Sequence, residues 1–398
     1  MSKQLAIDLD EVRAETPGCI ERLHFNNAGA SLMPRSVVDT VVAHLELETR
    51  IGGYEAKDAV EDRLADVYRV AARLINCEPS EIALLENATR AWNAVFQAIP
   101  FRRGDRIVTG RAEYVSNYMA FLRVARATGA EIVVVGDDDY GQIDVAELKA
   151  ILGRPARLIA LSHAPTSGGL VNPAAEVGRV AREAGVPFLL DACQSVGQMP
   201  VDVAEIGCDF LSTTGRKFLR GPRGTGFLYV SRDRLGELDP AMPEAGAASW
   251  TARDDYTLKP DARRFETWEA SYALQLGLGR AIEYALELGL GAIWERVIFL
   301  AEALRERLAS MQGVTVHDLG RTRCGIVTFT VEDVDSEWLR VRLFEHGANV
   351  HVSTPEDTRL DFEARALRPM IRASVHYFNT EEEIAGFCRL VQDICARS

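Results

Sequence analysis

The chain has 398 residues and a mass of 43.9 kDa, more than one hydrophobic core usually serves, so two or three domains are expected and a small stapled scaffold is excluded. With 47% hydrophobic and 26% charged residues it has the composition of a folded globular protein, not of a disordered or collagen-like one. Its 45 Lys and Arg against 58 Asp and Glu leave a net charge of -13 with no basic run, which argues against a nucleic-acid partner.

Residues Met1 to Asp10 mix Lys, Asp and Glu with aliphatics, with no basic region ahead of an apolar one, so no secretion signal is expected and the compartment reads as cytoplasmic. No apolar run approaches the roughly 18 to 20 residues of a membrane span. Ser36 to Arg50 and Val60 to Asn76 carry apolar residues at spacings of three and four, which predicts amphipathic helices. Gly52-Gly-Tyr54-Glu55 between them reads as a mobile loop near an entrance. Short apolar strands follow at Ile107 to Thr109, Ile132 to Val135, Leu158 to Leu161, Phe188 to Leu190, Phe210 to Leu211 and Gly226 to Val230. Helical stretches such as Val115 to Thr128 and Ala174 to Ala184 separate several of them. Unbroken apolar strands alternating with helices predict an α/β fold with a mainly parallel sheet covered on both faces.

Between Asp239 and Asp261 no period is visible. Helices are expected from Ser271 to Leu288 and from Ala292 to Met311, with Gly289 and Gly291 at the join. Beyond them come strands at Gly325 to Thr330, Ala348 to Val352 and Met370 to Val375, and helices at Ser336 to His346 and from Glu381. This pattern suggests a smaller α+β C-terminal domain. The expected division is an N-terminal segment 1–35, a large α/β domain 36–284 and a small domain 285–398. Seven widely spaced cysteines without a CxxC pair predict neither disulfides nor a metal site.

Three segments carry the chemistry. Asp191 ends a buried strand, where ligands of open α/β sheets sit and a carboxylate can meet a positive group; alone it could equally cap a turn. Lys217 follows the strand that ends in Thr213-Thr214-Gly215-Arg216 and precedes the Gly-rich stretch Gly221-Pro-Arg-Gly-Thr-Gly226. A lysine at a sheet edge among apolar or cationic neighbours loses its charge readily, which frees the amine to attack a carbonyl; alone it would read as a surface lysine. Asn87-Ala88-Thr89 precedes an apolar helical run, and free N–H groups at a helix start suit a phosphate. Thr214 and Arg216 could close the same anion site.

Taken together, these segments resemble the pyridoxal-phosphate enzymes of fold type I, in the class V aminotransferase and cysteine desulfurase-like group, from Leu23-His-Phe-Asn-Asn-Ala-Gly29 to Asn379-Thr-Glu-Glu-Glu383. The resemblance implies that pyridoxal 5'-phosphate forms a Schiff base with Lys217, the catalytic residue, and that Asp191 pairs with the pyridinium nitrogen. Gln194 is implied to bond the ring oxygen, Tyr114 to stack over the ring where relatives often have His, and Thr166 to reach cofactor or substrate. Ala88, Thr89, Thr214 and Arg216 are the implied phosphate side. Arg372 matches the arginine that grips the substrate carboxylate, a task suited to a planar fork of donors. Asn26, Asn27 and Ala28 match the segment implied to cover the site, with Asn27 implied to bind substrate. A homodimer and a small amino-acid substrate are also implied.

Two departures qualify the match. The stretch His351 to Glu363 has no cysteine where desulfurases carry their nucleophile, and Cys324 reads as a buried structural thiol. Thr267-Trp268-Glu269 stands where relatives often have a Gly-Thr pair that reaches the partner's cofactor phosphate. The reading is β-elimination by a C-S lyase on a cysteine-derived substrate, with transamination, epimerisation or racemisation as alternatives. A catalytically silent binding protein is disfavoured by the presence of Lys217, Asp191 and Arg372.

Overall fold

The computed structural model describes residues 7–396. Those parts of the segment, domain and leader readings that fall on 1–6 and 397–398 lie outside the described residues.

In chain order the helices are α1 (Leu9–Ala14), α2 (Gly18–Glu21), α3 (Arg35–Ile51), α4 (Gly53–Ala59) and α5 (Glu61–Ile75), then α6 (Ala88–Ala98), α7 (Val115–Thr128) and α8 (Val145–Ile151). They continue as α9 (Ala174–Ala184), α10 (Val203–Ile206), α11 (Tyr272–Leu288), α12 (Leu290–Ala309), α13 (Ser336–Glu345), α14 (Arg359–Ala364) and α15 (Glu381–Cys395). Strand β1 (Leu23–His24) comes early. The strands of the large sheet are β2 (Ile82–Leu85), β3 (Arg106–Thr109), β4 (Glu131–Val134), β5 (Leu158–Ser162), β6 (Phe188–Asp191), β7 (Phe210–Thr214) and β8 (Gly226–Val230), in the order β2-β8-β7-β6-β5-β3-β4.

The pairs from β7 through β4 are parallel, and β8 runs antiparallel to both its neighbours. Successive residues of β5 show why its sequence is apolar throughout. Leu158 and Ala160 join the cluster with Trp92, Phe96 and Phe121 of α6 and α7, while Ile159 and Leu161 join the cluster with Val177 and Val180 of α9 and Ile282 of α11. Each face is covered by helices, so alternation of polarity is lost. The fold is therefore the expected α/β one.

A hairpin of β9 (Ala248–Ala252) and β10 (Asp255–Leu258) occupies part of the region read as patternless. Its residues are mostly exposed, with Trp250 at 81%, so no buried face marks the sequence. Strands β11 (Val314–Val316), β12 (Ile326–Val331), β14 (His351–Ser353) and β15 (Met370–Ser374) form an antiparallel sheet in the order β11-β12-β15-β14, packed on residues of α12, α13 and α15. The single strand expected over Ala348 to Val352 is two: β13 (Ala348–Asn349) pairs parallel with β1, and β14 pairs with β15. The loop expected at Gly52 to Glu55 is also corrected. Only Gly52 stands outside helix, at φ 98°, and Gly53 begins α4.

The early segment is tied to the last sheet. Asn26 bridges Ser374 in parallel, and the Ser374 hydroxyl accepts from Ala28 N at 2.9 Å. A buried ionic cluster lies elsewhere, where Arg305 of α12 donates to Asp318, Glu302 and the carbonyls of Cys324 and Ile326. Asp318 also accepts from Gly169 N and from Thr328 N and Oγ1, which joins the loop after β5 to β12.

Candidate active site

A cavity of about 570 Å³ opens at the carboxyl ends of β5, β6 and β7, lined among others by Thr89, Tyr114, Thr166, Asp191, Gln194 and Lys217. Ala88, Thr214 and Arg216 line it too, so each residue expected to hold the cofactor lies on one wall or another. The size is that of a small-molecule site.

Strand β7 carries Thr213 and Thr214 to the sheet edge, and Lys217 follows after one turn with 9% exposure. Its backbone is pinned from two directions. Arg220, itself at φ 60°, donates to Leu32 O (2.8 Å), Tyr377 Oη (2.6 Å) and Thr16 Oγ1 (2.5 Å). Gly197, at φ 97°, sits so close that a Cβ there would meet the Phe218 carbonyl carbon at 2.4 Å, and only glycine fits. Burial pushes the Lys217 ammonium below its usual range; Cys193 and Asp191 oppose this, while Arg216 and Arg372 add to it. The result favours a neutral, nucleophilic amine.

Asp191 closes β6. Its Oδ1 accepts from Cys193 N (3.0 Å) and its Oδ2 from Asn117 Nδ2 (2.8 Å). Gln194 donates from Nε2 to Ala28 O and Thr166 Oγ1, both at 3.2 Å, and its buried Oε1 has no partner. Asn87 caps α6 by accepting from Arg90 N (3.0 Å), which leaves the first-turn N–H groups at Ala88 and Thr89 beside the cavity. Tyr114 caps α7 on another wall, and burial raises its phenol above the usual value. His163 bonds Ser195 Oγ through Nδ1 (3.0 Å), and burial lowers it to about 4, so it supports the loop as a neutral ring.

Arg372 stands in the middle of β15, behind Thr166. Nη1 donates to Thr166 Oγ1 (2.7 Å) and O (3.2 Å), Nε has no partner, and burial lowers its pKa to about 10. Asn27 is placed differently from its expectation. It is 0% exposed, its amide donates to Ser374 O (2.7 Å), its oxygen accepts from Ser31 Oγ (2.7 Å), and it does not line the cavity. Its polar atoms hold the covering segment in place. Glu269 lines a smaller neighbouring cavity with Glu86 and Gly224, while Trp268 is exposed. Cys324 is fully buried with its thiol pushed up to about 11, as a structural cysteine would be.

Lining residues that the sequence reading gave no role include Arg90, Ser162, Ala164, Cys193, Arg223 and Gly224. The signal for Arg223 was its place in the Gly-rich stretch six residues after Lys217. Arg223 has no hydrogen bond or ion pair among the described residues and depresses Arg216 by like charge, after burial. With Arg216 and Arg223 on its lining, that side of the cavity is positively charged and suits an anion.

The cavity fits pyridoxal phosphate on its own terms. It offers an amine without a carboxylate ion pair, a buried carboxylate, an aromatic ring, an unpartnered buried Gln194 oxygen, and a helix start beside two arginines. The family model described as Aminotransferase class-V matches residues 23–387. A relative named "Probable cysteine desulfurase" from Methanothermobacter thermautotrophicus is 30% identical over 97% of this chain and 98% of its own length. One of the same name from Pyrococcus abyssi is 28% identical over 97% of each. Among solved structures, the apo cysteine desulfurase of Thermococcus onnurineus NA1 superposes with a TM-score of 0.92 at 25% identity, covering 100% of both chains. The cystine C-S lyase C-DES, solved with its reaction product cysteine persulfide, gives 0.83 at 25% identity over 94% of this chain and 99% of that one. This chain belongs to the aminotransferase class-V family of pyridoxal-phosphate enzymes.

Proposed function

We propose that the protein is a C-S lyase that eliminates the β-sulfur substituent of a cysteine-derived amino acid. One observation carries this reading: the Lys217 amine, its pKa lowered by burial, shares the cavity with the Asp191 carboxylate, and the chain packed against Tyr114, where Val115 N meets Asp357 O at 3.0 Å, contains no cysteine to take up sulfur. The curated relatives named for desulfuration and the solved cystine C-S lyase support sulfur chemistry.

In this reading the bound pyridoxal phosphate supplies an electron sink for charge developing at the substrate Cα. Lys217 Nζ would hold the cofactor and, when free of it, would take the substrate Cα proton and hold it for delivery. Asp191 would pair with the ring nitrogen. Arg372 does not line the cavity but lies behind Thr166, which takes its Nη1, and its unpartnered Nε would be the donor left for the substrate carboxylate. Tyr114 would cover the cofactor ring from its wall of the cavity and exclude water there. Ala88, Thr89, Thr214, Arg216 and Arg223, which line the cavity, would hold the phosphate. Asn27 acts through the segment it holds.

We also propose the division at about residues 35 and 284. A homodimer belongs to the same proposal: Val38, Val42 and Leu45 make an exposed apolar stripe on α3, and Trp250 and Trp268 are exposed as well.

The test is incubation of holoprotein with cystine, S-substituted cysteines and ordinary amino acids, following pyruvate, keto acid and α-proton exchange separately. Pyruvate with released thiol or persulfide supports elimination. Keto acid retaining the side chain, or inversion at Cα without pyruvate, would replace it with transamination or epimerisation.

A further inference from the structure

Glu113 has no part in the scheme above, yet it is the best-bonded carboxylate near the site. It lies between β3 and α7 and is 4% exposed. Five donors converge on it. Oε1 accepts from Ser162 Oγ (2.6 Å), Tyr114 N (2.9 Å) and Asn117 Nδ2 (2.9 Å); Oε2 accepts from Ser162 N and Thr109 Oγ1, both at 3.1 Å. Burial raises its carboxyl pKa, Ser162, Asn117 and Tyr114 pull it back, and the Asp191 charge adds to the rise.

The decisive link is Asn117, also buried, whose Nδ2 donates to Glu113 Oε1 and to Asp191 Oδ2 at 2.9 and 2.8 Å. An amide NH₂ has two hydrogens, and each goes to one carboxylate. Flipping the amide would set its oxygen against two acceptors. With Glu113 in place only one orientation is favourable, and it leaves an N–H on Asp191 Oδ2, which fixes where that carboxylate oxygen sits. The other groups facing Asp191 are the backbone and thiol of Cys193 in the turn after β6, Lys217 after β7, and Tyr114 at the start of α7.

We propose that Glu113 is a positioning residue for the cofactor ring: it locks Asn117 as a donor, and Asn117 holds the Asp191 carboxylate in place as the acceptor for the ring nitrogen. The proposal rests on the pyridoxal-phosphate reading. It concerns Asp191 and the ring nitrogen alone, so the phosphate, the stacking face and Lys217 lie outside it.

That separation supplies the test. Apoprotein is titrated with pyridoxal phosphate and with the deaza analogue, in which a C–H replaces the ring nitrogen, and binding is read by protein fluorescence. Glu113→Gln turns one acceptor into a donor facing donors; it should weaken pyridoxal phosphate binding about tenfold and the analogue by less than about twofold. Asn117→Ala should show the same contrast, which keeps the test decisive if Glu113→Gln does not fold. The double variant should bind pyridoxal phosphate no worse than Asn117→Ala, since Glu113 acts through that amide. Equal loss for both ligands, or additive losses in the double variant, would overturn the proposal. Wild-type protein that binds neither ligand would instead sink the pyridoxal-phosphate reading itself.

Discussion

Arg305 and Arg372 are both buried, at 4% and 5% exposure, and their surroundings differ in kind. Arg305 meets Asp318 at 2.7 Å, Glu302 at 2.8 Å, and two carbonyls. Arg372 has Thr166 on one nitrogen, nothing on Nε, and no carboxylate within ion-pair distance among the described residues. Burial acts to lower both, yet Asp318 and Glu302 lift Arg305 above its ordinary value, while Arg372 stays depressed at about 10. A buried charge with every nitrogen bonded stitches chain to chain. One left short of an anion marks a place kept for a ligand.

Variants can break or sharpen this contrast. The largest effect falls on the open site: Lys217→Met should lower turnover by at least about a thousandfold, measured as pyruvate release, while the apoprotein melts no lower than wild type. In the closed cluster the pattern reverses. Arg305→Ala strands Asp318 in the interior and should cost about 3 to 5 kcal/mol in denaturant unfolding, with KM unchanged in the protein that remains folded. Comparable loss of stability from Lys217→Met and Arg305→Ala would erase the distinction. Next in size, Arg372→Lys should raise KM for the amino acid roughly tenfold to a hundredfold and shift the apoprotein melting temperature by only about 2 °C, because a point charge cannot reproduce the fork.

The smallest effect is on pH. Folding lowers the Lys217 pKa through burial, so between that lowered value and the usual lysine range the unfolded chain binds more protons than the native one. Apoprotein stability should therefore rise with pH across that window. Chemical denaturation at several pH values should find a flatter dependence in Lys217→Met; an identical slope would mean that the amine carries its charge in the folded state.

The parts of the fold read well from sequence are those whose burial is one-dimensional. Strands β3, β5, β6 and β8 are apolar runs because helices cover both faces, and α7 and α9 carry the apolar spacing of helices. What escaped has its cause in three dimensions. The hairpin β9–β10 buries too little to imprint a period, and α4 hides in a glycine pair that resembles a loop. The site was legible where backbone and chemistry coincide, as at Asp191 and Lys217 on strand ends. Glu113 and Asn117 were not, because a carboxylate on the page looks solvated, and nothing in Glu113-Tyr-Val-Ser-Asn117 announces five donors around it. Asn27 was misplaced for the opposite reason. Its segment does lie beside the site, through Ala28 O on Gln194, yet the side chain faces Ser374.

That last contact has a consequence for how the protein is made. Asn27 is held by Ser374, 347 residues later in the chain, and β1 pairs with β13, so the segment synthesised early finds its place only after the antiparallel sheet is made. The large sheet can assemble before then, with Lys217 and Asp191 on its edge. On the ribosome the cofactor site therefore passes through a stage with walls and no cover, and it closes only when the two distant ends of the fold meet.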